Sequence, residues 1–262
     1  MNGSESAVTV PLHLFGHALR KFWQHRDLLW SIYLMNAFLI FLRLFAGIYL
    51  IKSPAVDTVL NLLFNIFTTP VMVLGLSRVL LSVMRGGPVR LSMLLADFAS
   101  LRTLKKALAA ALIWQAPTFW ITFLISVNIP QINTLGQVFL AVPLLVFGIL
   151  AWLWLLLKLF LFPYLFVTRP EEKLRTLAKA SFEAVRGKSW RTAGTYLASV
   201  WMVALLAVCL ISLTGPMITH DAARASSLWL FYNGIITISV TLVGPYTGLA
   251  MAGYADRLLA KE

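Results

Sequence analysis

Residues 138–167 read VFLAVPLLVFGILAWLWLLLKLFLFPYLFV, thirty residues with a single charge at Lys158. About 20 apolar residues suffice for a helix to cross a bilayer, and water could not accommodate such a run on the surface of a folded domain. The next 24 residues, TRPEEKLRTLAKASFEAVRGKSWR at 168–191, carry seven Lys and Arg. An apolar run followed by a basic connector is the pattern of a membrane span that ends in the cytoplasm.

Working outward, the same alternation covers the chain. Apolar runs lie at 28–51, 56–82, 107–127, 138–167, 194–214 and 228–253. Eighteen Lys and Arg fall in the N-terminal segment, the second and fourth connectors with their flanks, and the C-terminus. The opposite side holds only Lys52 and Arg224, and Arg43 and Lys158 lie inside runs. This asymmetry predicts six spans with both termini on the cytoplasmic side of a bacterial inner membrane. The expected fold is an all-α polytopic membrane helix bundle, a single domain over 1–262. The first apolar run follows a polar to amphipathic segment and reads as an uncleaved span.

Composition agrees. Hydrophobic residues make up 60% of the chain and charged residues 12%, about half the charged share of a soluble domain. The net charge of +12 would suggest nucleic acid in a soluble protein. Confined to the connectors, it instead faces anionic lipid headgroups, which makes anionic membrane lipid the expected partner, with another membrane protein as a second candidate and no nucleic acid. The lone Cys209 excludes an internal disulfide.

The basic connectors carry apolar stripes at helical spacing: Leu12, Phe15, Leu19 and Phe22; Leu91, Leu94, Leu95, Phe98 and Leu101; Leu174, Leu177, Ala178, Phe182 and Val185. Such segments either lie in the inner headgroup layer or pack on the cytoplasmic ends of the spans. Each precedes two spans, and the second span of each pair contains a proline: Pro70, Pro163 and Pro245. This suggests a threefold repeat with units near 11–82, 90–167 and 171–253, related by an axis along the membrane normal. The three prolines are expected to kink their helices; whether they line a shared cavity or are inert is open.

Candidate ligand-binding residues are those a bilayer penalises. Lys158 and Arg43 would suit an anionic ligand, or would snorkel to the interfaces. Asn61 and Asn65 share a helix face and Gln115 lies near Pro117; they line a path or bond neighbouring helices. Gly244, Gly248 and Ala252 form a ridge of small residues suited to close packing. His13 and His17 lack a well-placed third ligand, so no metal and no cofactor are expected. No carboxylate pair, nucleophile with base, or phosphate-binding glycine loop is present, and no catalytic residue is assigned.

The stretch GLSRVLLSVMRGG at 75–87, the helix leading to Phe98, Pro163-Tyr164, residues 180–188 with Arg186-Gly187-Lys188, and Gly244-Pro245-Tyr246 together resemble the YciC-like uncharacterised six-span bacterial inner-membrane proteins. They are also similar to the membrane domain of some glycerophosphodiester phosphodiesterases. The resemblance covers roughly 60–255 and implies an inner-membrane location and six spans. It implies no catalytic residues, since the phosphodiesterase chemistry belongs to a separate soluble domain. The expected function is non-enzymatic: handling a lipid or amphipathic anion as a transporter or transport partner, or scaffolding another membrane protein.

Overall fold

A computed structural model describes residues 9–46, 53–128, 135–214 and 225–260, and among them every regular element is helical. The helices are α1 (Thr9–Phe45), α2 (Pro54–Thr69), α3 (Leu76–Arg85), α4 (Leu101–Asn128), α5 (Leu135–Leu159), α6 (Phe162–Thr168), α7 (Leu174–Ala184), α8 (Ser189–Thr214) and α9 (Ala225–Leu259). A π-helical turn, Pro70–Gly75, joins α2 to α3, and a 3-10 helix, Leu91–Phe98, precedes α4. Three helical stretches among the described residues are long and apolar enough to cross a membrane: Leu63–Arg85, Pro143–Thr168 and Gly234–Leu259. They coincide with the second, fourth and sixth apolar runs, and each contains one of Pro70, Pro163 and Pro245. Residues 47–52, 129–134 and 215–224, where the expected outer loops fall, lie outside the described residues, as do the side chains of Leu12, Asn61 and Asn233.

The breaks in the helices have local causes. Pro70 has no N–H to give to the preceding turn, and the chain widens into the π turn before resuming as α3. The 138–167 run divides as expected: α5 stops at Leu159 and α6 restarts with Pro163 in its first turn, where a proline is pre-organised for helix. Pro117, Pro143 and Pro245 remain inside α4, α5 and α9. In α1 the backbone leaves the helical region at His25 (φ −125°, ψ 20°), which separates the amphipathic N-terminal segment from the apolar part. Gly86 ends α3 in the left-handed conformation (φ 71°), and the Gly87 N–H donates to the Ser82 carbonyl at 2.8 Å.

The core lies at the basic end of the bundle. Leu14, Ala18 and Phe22 of α1, Val79 and Val83 of α3, Phe162 and Leu165 of α6, Leu177 of α7, and Ala252, Ala255 and Leu258 of α9 are all buried in one cluster. The amphipathic connectors therefore pack on the ends of the spans. The first seals the core with Leu14 and Phe22, and Phe15 stacks beside Tyr246 with ring centroids 5.6 Å apart. The third does so with Leu177 and Val185.

The second connector departs from the expected α-helical face. In a 3-10 helix positions three apart eclipse, so Leu94 and Asp97 share a row that turns inward and Leu95 and Phe98 a row left exposed; Leu91, at the start of the first row, is exposed at the helix end, as is Leu101 at the start of α4. Asp97 is 6% exposed and accepts a hydrogen bond from Arg78 at 2.9 Å, while the other Arg78 nitrogen donates to the Met93 carbonyl at 2.9 Å. Arg78 lies inside a stretch long enough to span, so this carboxylate neutralises a cation that the sequence pattern assigns to a loop flank.

Away from the core, large apolar side chains point outward: Phe38 and Phe41 of α1, Phe147 and Leu150 of α5, Trp201 of α8 and Ile238 of α9, with Phe147 68% exposed. Each such side chain left in water forgoes about 1.5–3 kcal/mol of burial free energy. The arrangement suits hydrocarbon as the surrounding solvent.

Gly75 sits so close to the 3-10 helix that a methyl group there would collide with the Leu94 carbonyl oxygen. Backbone cannot swing aside, so Gly75→Ala should lower stability by about 1–3 kcal/mol. At Gly253 the added methyl would meet only the tip of Met84 at 2.6 Å, a flexible side chain that repacks. Thermal unfolding in detergent should show a clear loss for Gly75→Ala and a much smaller one for Gly253→Ala.

Candidate functional site

Between the core and the outer halves of the helices the bundle opens into two adjoining hollows. One, of about 220 Å³ and open on one side, is lined by Tyr33 of α1, the π turn and α3, Trp114 of α4, Phe160, Pro163 and Tyr164 around the α5–α6 break, Tyr196 of α8, and Gly248 and Met251 of α9. The other, of about 410 Å³, lies against α8 and α9 and shares Tyr33, Tyr196, Gly248 and Met251. Ligand pockets of a few hundred cubic ångströms are usual for small molecules and lipid segments.

The hollows follow from the sequence features that interrupt the helices. The π turn after Pro70 supplies Met72 and Val73 to the wall, and Pro163 faces the hollow from the start of α6. Gly244 and Gly248 remove side chains from one face of α9. Tyr33 fills part of that space: its ring lies 2.5 Å, and its hydroxyl 2.6 Å, from where a Cβ would stand at Gly244 and Gly248 respectively. The expected ridge of small residues thus packs within the chain. Gly248 is nine residues before Arg257, about 14 Å at the helical rise, and Leu80 is five before Arg85. The hollow therefore lies just beyond the basic end, on the apolar side.

Its walls are apolar with hydroxyls. Tyr33, Ser77 and Tyr164 are each more than nine-tenths buried, and no charged residue lines either hollow. Of the three prolines, Pro163 is at the wall, Pro70 begins the π turn behind Met72 and Val73, and Pro245 adjoins Gly244.

The candidate residues read from the sequence sit elsewhere. Lys158 occupies the last turn of α5, and its ammonium donates to the Ser189 hydroxyl at 3.3 Å, while its own carbonyl accepts from Ser181 at 2.7 Å. That anchors α5 to α7 and the start of α8 at the basic end. Arg43 is in the last turn of α1 at the far end. Asn65 and Gln115 are half-buried in α2 and α4 and do not line the hollows. His13 is exposed and His17 half-buried on α1, and no group of three metal-ligating side chains occurs among the described residues. The sequence reading noticed Tyr164 through its Pro-Tyr dipeptide; Tyr33 and Tyr196 carried no local signal, because their role arises only when α1 and α8 meet α9. Tyr246, from the matching dipeptide, stacks on Phe15 instead.

Several cations of the basic end are engaged. Arg85 is paired with Asp256 at 2.7 Å, Arg78 with Asp97, and the Lys106 ammonium donates to the Pro170 carbonyl. Arg90, Arg102, Lys105, Arg186 and Arg191 are exposed, and Trp190 between the last two is 91% exposed. These cations and Trp190 form an exposed collar of residues at the basic end of the bundle.

Two predictions concern this end. Arg78→Met leaves a carboxylate buried without its partner, which should cost about 3 kcal/mol; Arg78→Met with Asp97→Leu should recover most of it, as read from unfolding midpoints in detergent. His17 holds its proton more weakly than a free imidazole, because burial and then the charges of Lys21, Arg20 and Arg257 disfavour the cation, with His13 adding a smaller push. The unfolded chain then binds the proton more readily, so stability is whole above about pH 6.5 and falls as the pH drops below it. Melting curves between pH 8 and 5 should show that fall for the native sequence and a flatter profile for His17→Gln.

Comparison with known proteins returned nothing of help in naming the site: no family model, no curated protein and no solved structure matches the chain.

Proposed function

We propose that this chain is a six-span protein of a bacterial inner membrane, both termini cytoplasmic, that binds an amphipathic anion drawn from the inner leaflet and serves its transport. The observation that carries the reading is an uncharged hollow that lies one packed layer in from an end of the bundle carrying exposed cations. An amphipathic anion needs both environments at that spacing: apolar walls for its chain and Arg or Lys for its head. The three stretches of spanning length, each with its proline, support six spans arranged as three similar pairs. The basic connectors support the cytoplasmic placement of the collar. The resemblance of 75–87 and of the Pro-Tyr dipeptides to YciC-like proteins supports the same location.

A scaffold role is the second reading. It is favoured by one observation, the exposed row Leu91, Leu95, Phe98 and Leu101 beside Arg90 and Arg102, which could hold another membrane protein or rest on the leaflet.

Native mass spectrometry of the protein extracted in mild detergent separates the two. Retained anionic lipid, lost when the hollow is narrowed by Met251→Trp, is the expected result. A lipid-free protein with a stable crosslinked partner in native membranes would replace the first reading with the second. For topology, a single cysteine at Lys179 in a Cys209→Ser background should resist membrane-impermeant maleimide in intact cells and react after permeabilisation.

A further inference from the structure

The hollow carries more information than its volume. Among the described residues, the hydroxyls of Tyr33, Tyr164 and Tyr196 and of Ser77 make no hydrogen bond to protein. Tyr33, Tyr164 and Ser77 are more than nine-tenths buried. The rest of the first wall, Trp114, Phe160, Met72 and Met251 among it, offers no acceptor stronger than a thioether, and Ser199 and Thr247 of the second wall donate to backbone carbonyls of their own helices. None of the four hydroxyl oxygens is among the buried side-chain atoms that lack a partner, so they open onto the hollow, where phenylalanine would fill the tyrosine positions of the wall as well. By contrast Tyr254, outside the hollow, is bonded to Thr192 at 3.1 Å.

The occupant that satisfies this wall has an apolar body and a neutral hydrogen-bond acceptor. A charge inside the hollow would be uncompensated, because no cation lines it. Resting on the proposed handling of an amphipathic anion, we infer that the hollow recognises the acyl ester carbonyls of a membrane lipid, with Tyr33 and Tyr164 as donors, while the charged head stays at the cationic collar. The head supplies attraction, and the tyrosines read the linkage.

The test compares two phosphatidylglycerols with the same head and chain length, one with acyl ester and one with alkyl ether linkages, titrated against the full chain in detergent micelles by native mass spectrometry. The ether lacks the carbonyl. The native protein should bind the ester form about fivefold to tenfold more tightly, the equivalent of one or two neutral hydrogen bonds. Tyr33→Phe and Tyr164→Phe should each shrink that ratio by weakening the ester form alone, and Tyr254→Phe should leave it unchanged. Equal binding of both lipids by the native protein would overturn the ester reading while leaving lipid binding intact. So would a ratio that survives both phenylalanine variants. Binding of neither lipid would remove the reading of the whole site.

Discussion

The bundle depends on the approach of α1 to α9, and that approach depends on two missing side chains. Tyr33 lies against Gly244 and Gly248 at distances where any Cβ would clash. In hydrocarbon the spans gain little from apolar burial, because lipid tails are as apolar as leucine; close contact and well-fitted shapes hold helices together instead. Bringing α1 this near to α9 lets Leu14, Phe22 and Leu29 reach the cluster formed with Ala252, Ala255 and Leu258. The ion pair of Arg85 with Asp256 then ties α3 to the same end of α9. With the basic end closed and a tyrosine bridging the next layer, the interrupted helices leave the hollow between them.

The sequence made the class of fold legible because its signal is the solvent itself. Thirty residues with one charge cannot describe a water-soluble surface, and the helices they form include a stretch long and apolar enough to cross a membrane. The division at Pro163 was readable for an equally local reason, the lost N–H. Other features escaped. The 91–98 segment was read at 3.6 residues per turn, and its true 3-10 winding brings Asp97 inward, so a buried ion pair looked like two surface charges. Lys158 drew notice as a cation in a greasy run, yet it ends a helix and reaches Ser189. Tyr164 stood out only through its Pro-Tyr dipeptide, and Tyr33 and Tyr196 not at all, because tyrosine is ordinary in spans; only the meeting of α1, α6 and α8 around the glycines of α9 gives the three one address. Sequence patterns report what each helix needs from its surroundings; they say little about which helices supply it.

The composition of the two regions differs in a way that suits their tasks. The core at the basic end mixes aliphatic and aromatic side chains, with Ala18, Ala252, Ala255 and Phe162 fully buried. The hollow is aromatic and rich in methionine, with Met72 and Met251 in its wall. Methionine adapts to occupants of varied outline, whereas alanine and leucine fix a single arrangement. Rigidity at one end and accommodation in the next layer are thus written in different residue types.

The pair formed by Arg78 and Asp97 also constrains the order in which the chain assembles. A guanidinium cannot be drawn into an apolar layer before its carboxylate arrives, and only nineteen residues separate the two. The loop that joins them is short, so its closure is an early and inexpensive event. The segment from Pro70 to Phe98 would then settle with Arg78 neutralised, while Arg85 gains its partner Asp256 only when the more distant α9 docks. A membrane protein whose most hazardous residue is neutralised by a near neighbour does not have to wait for its C-terminus to be made.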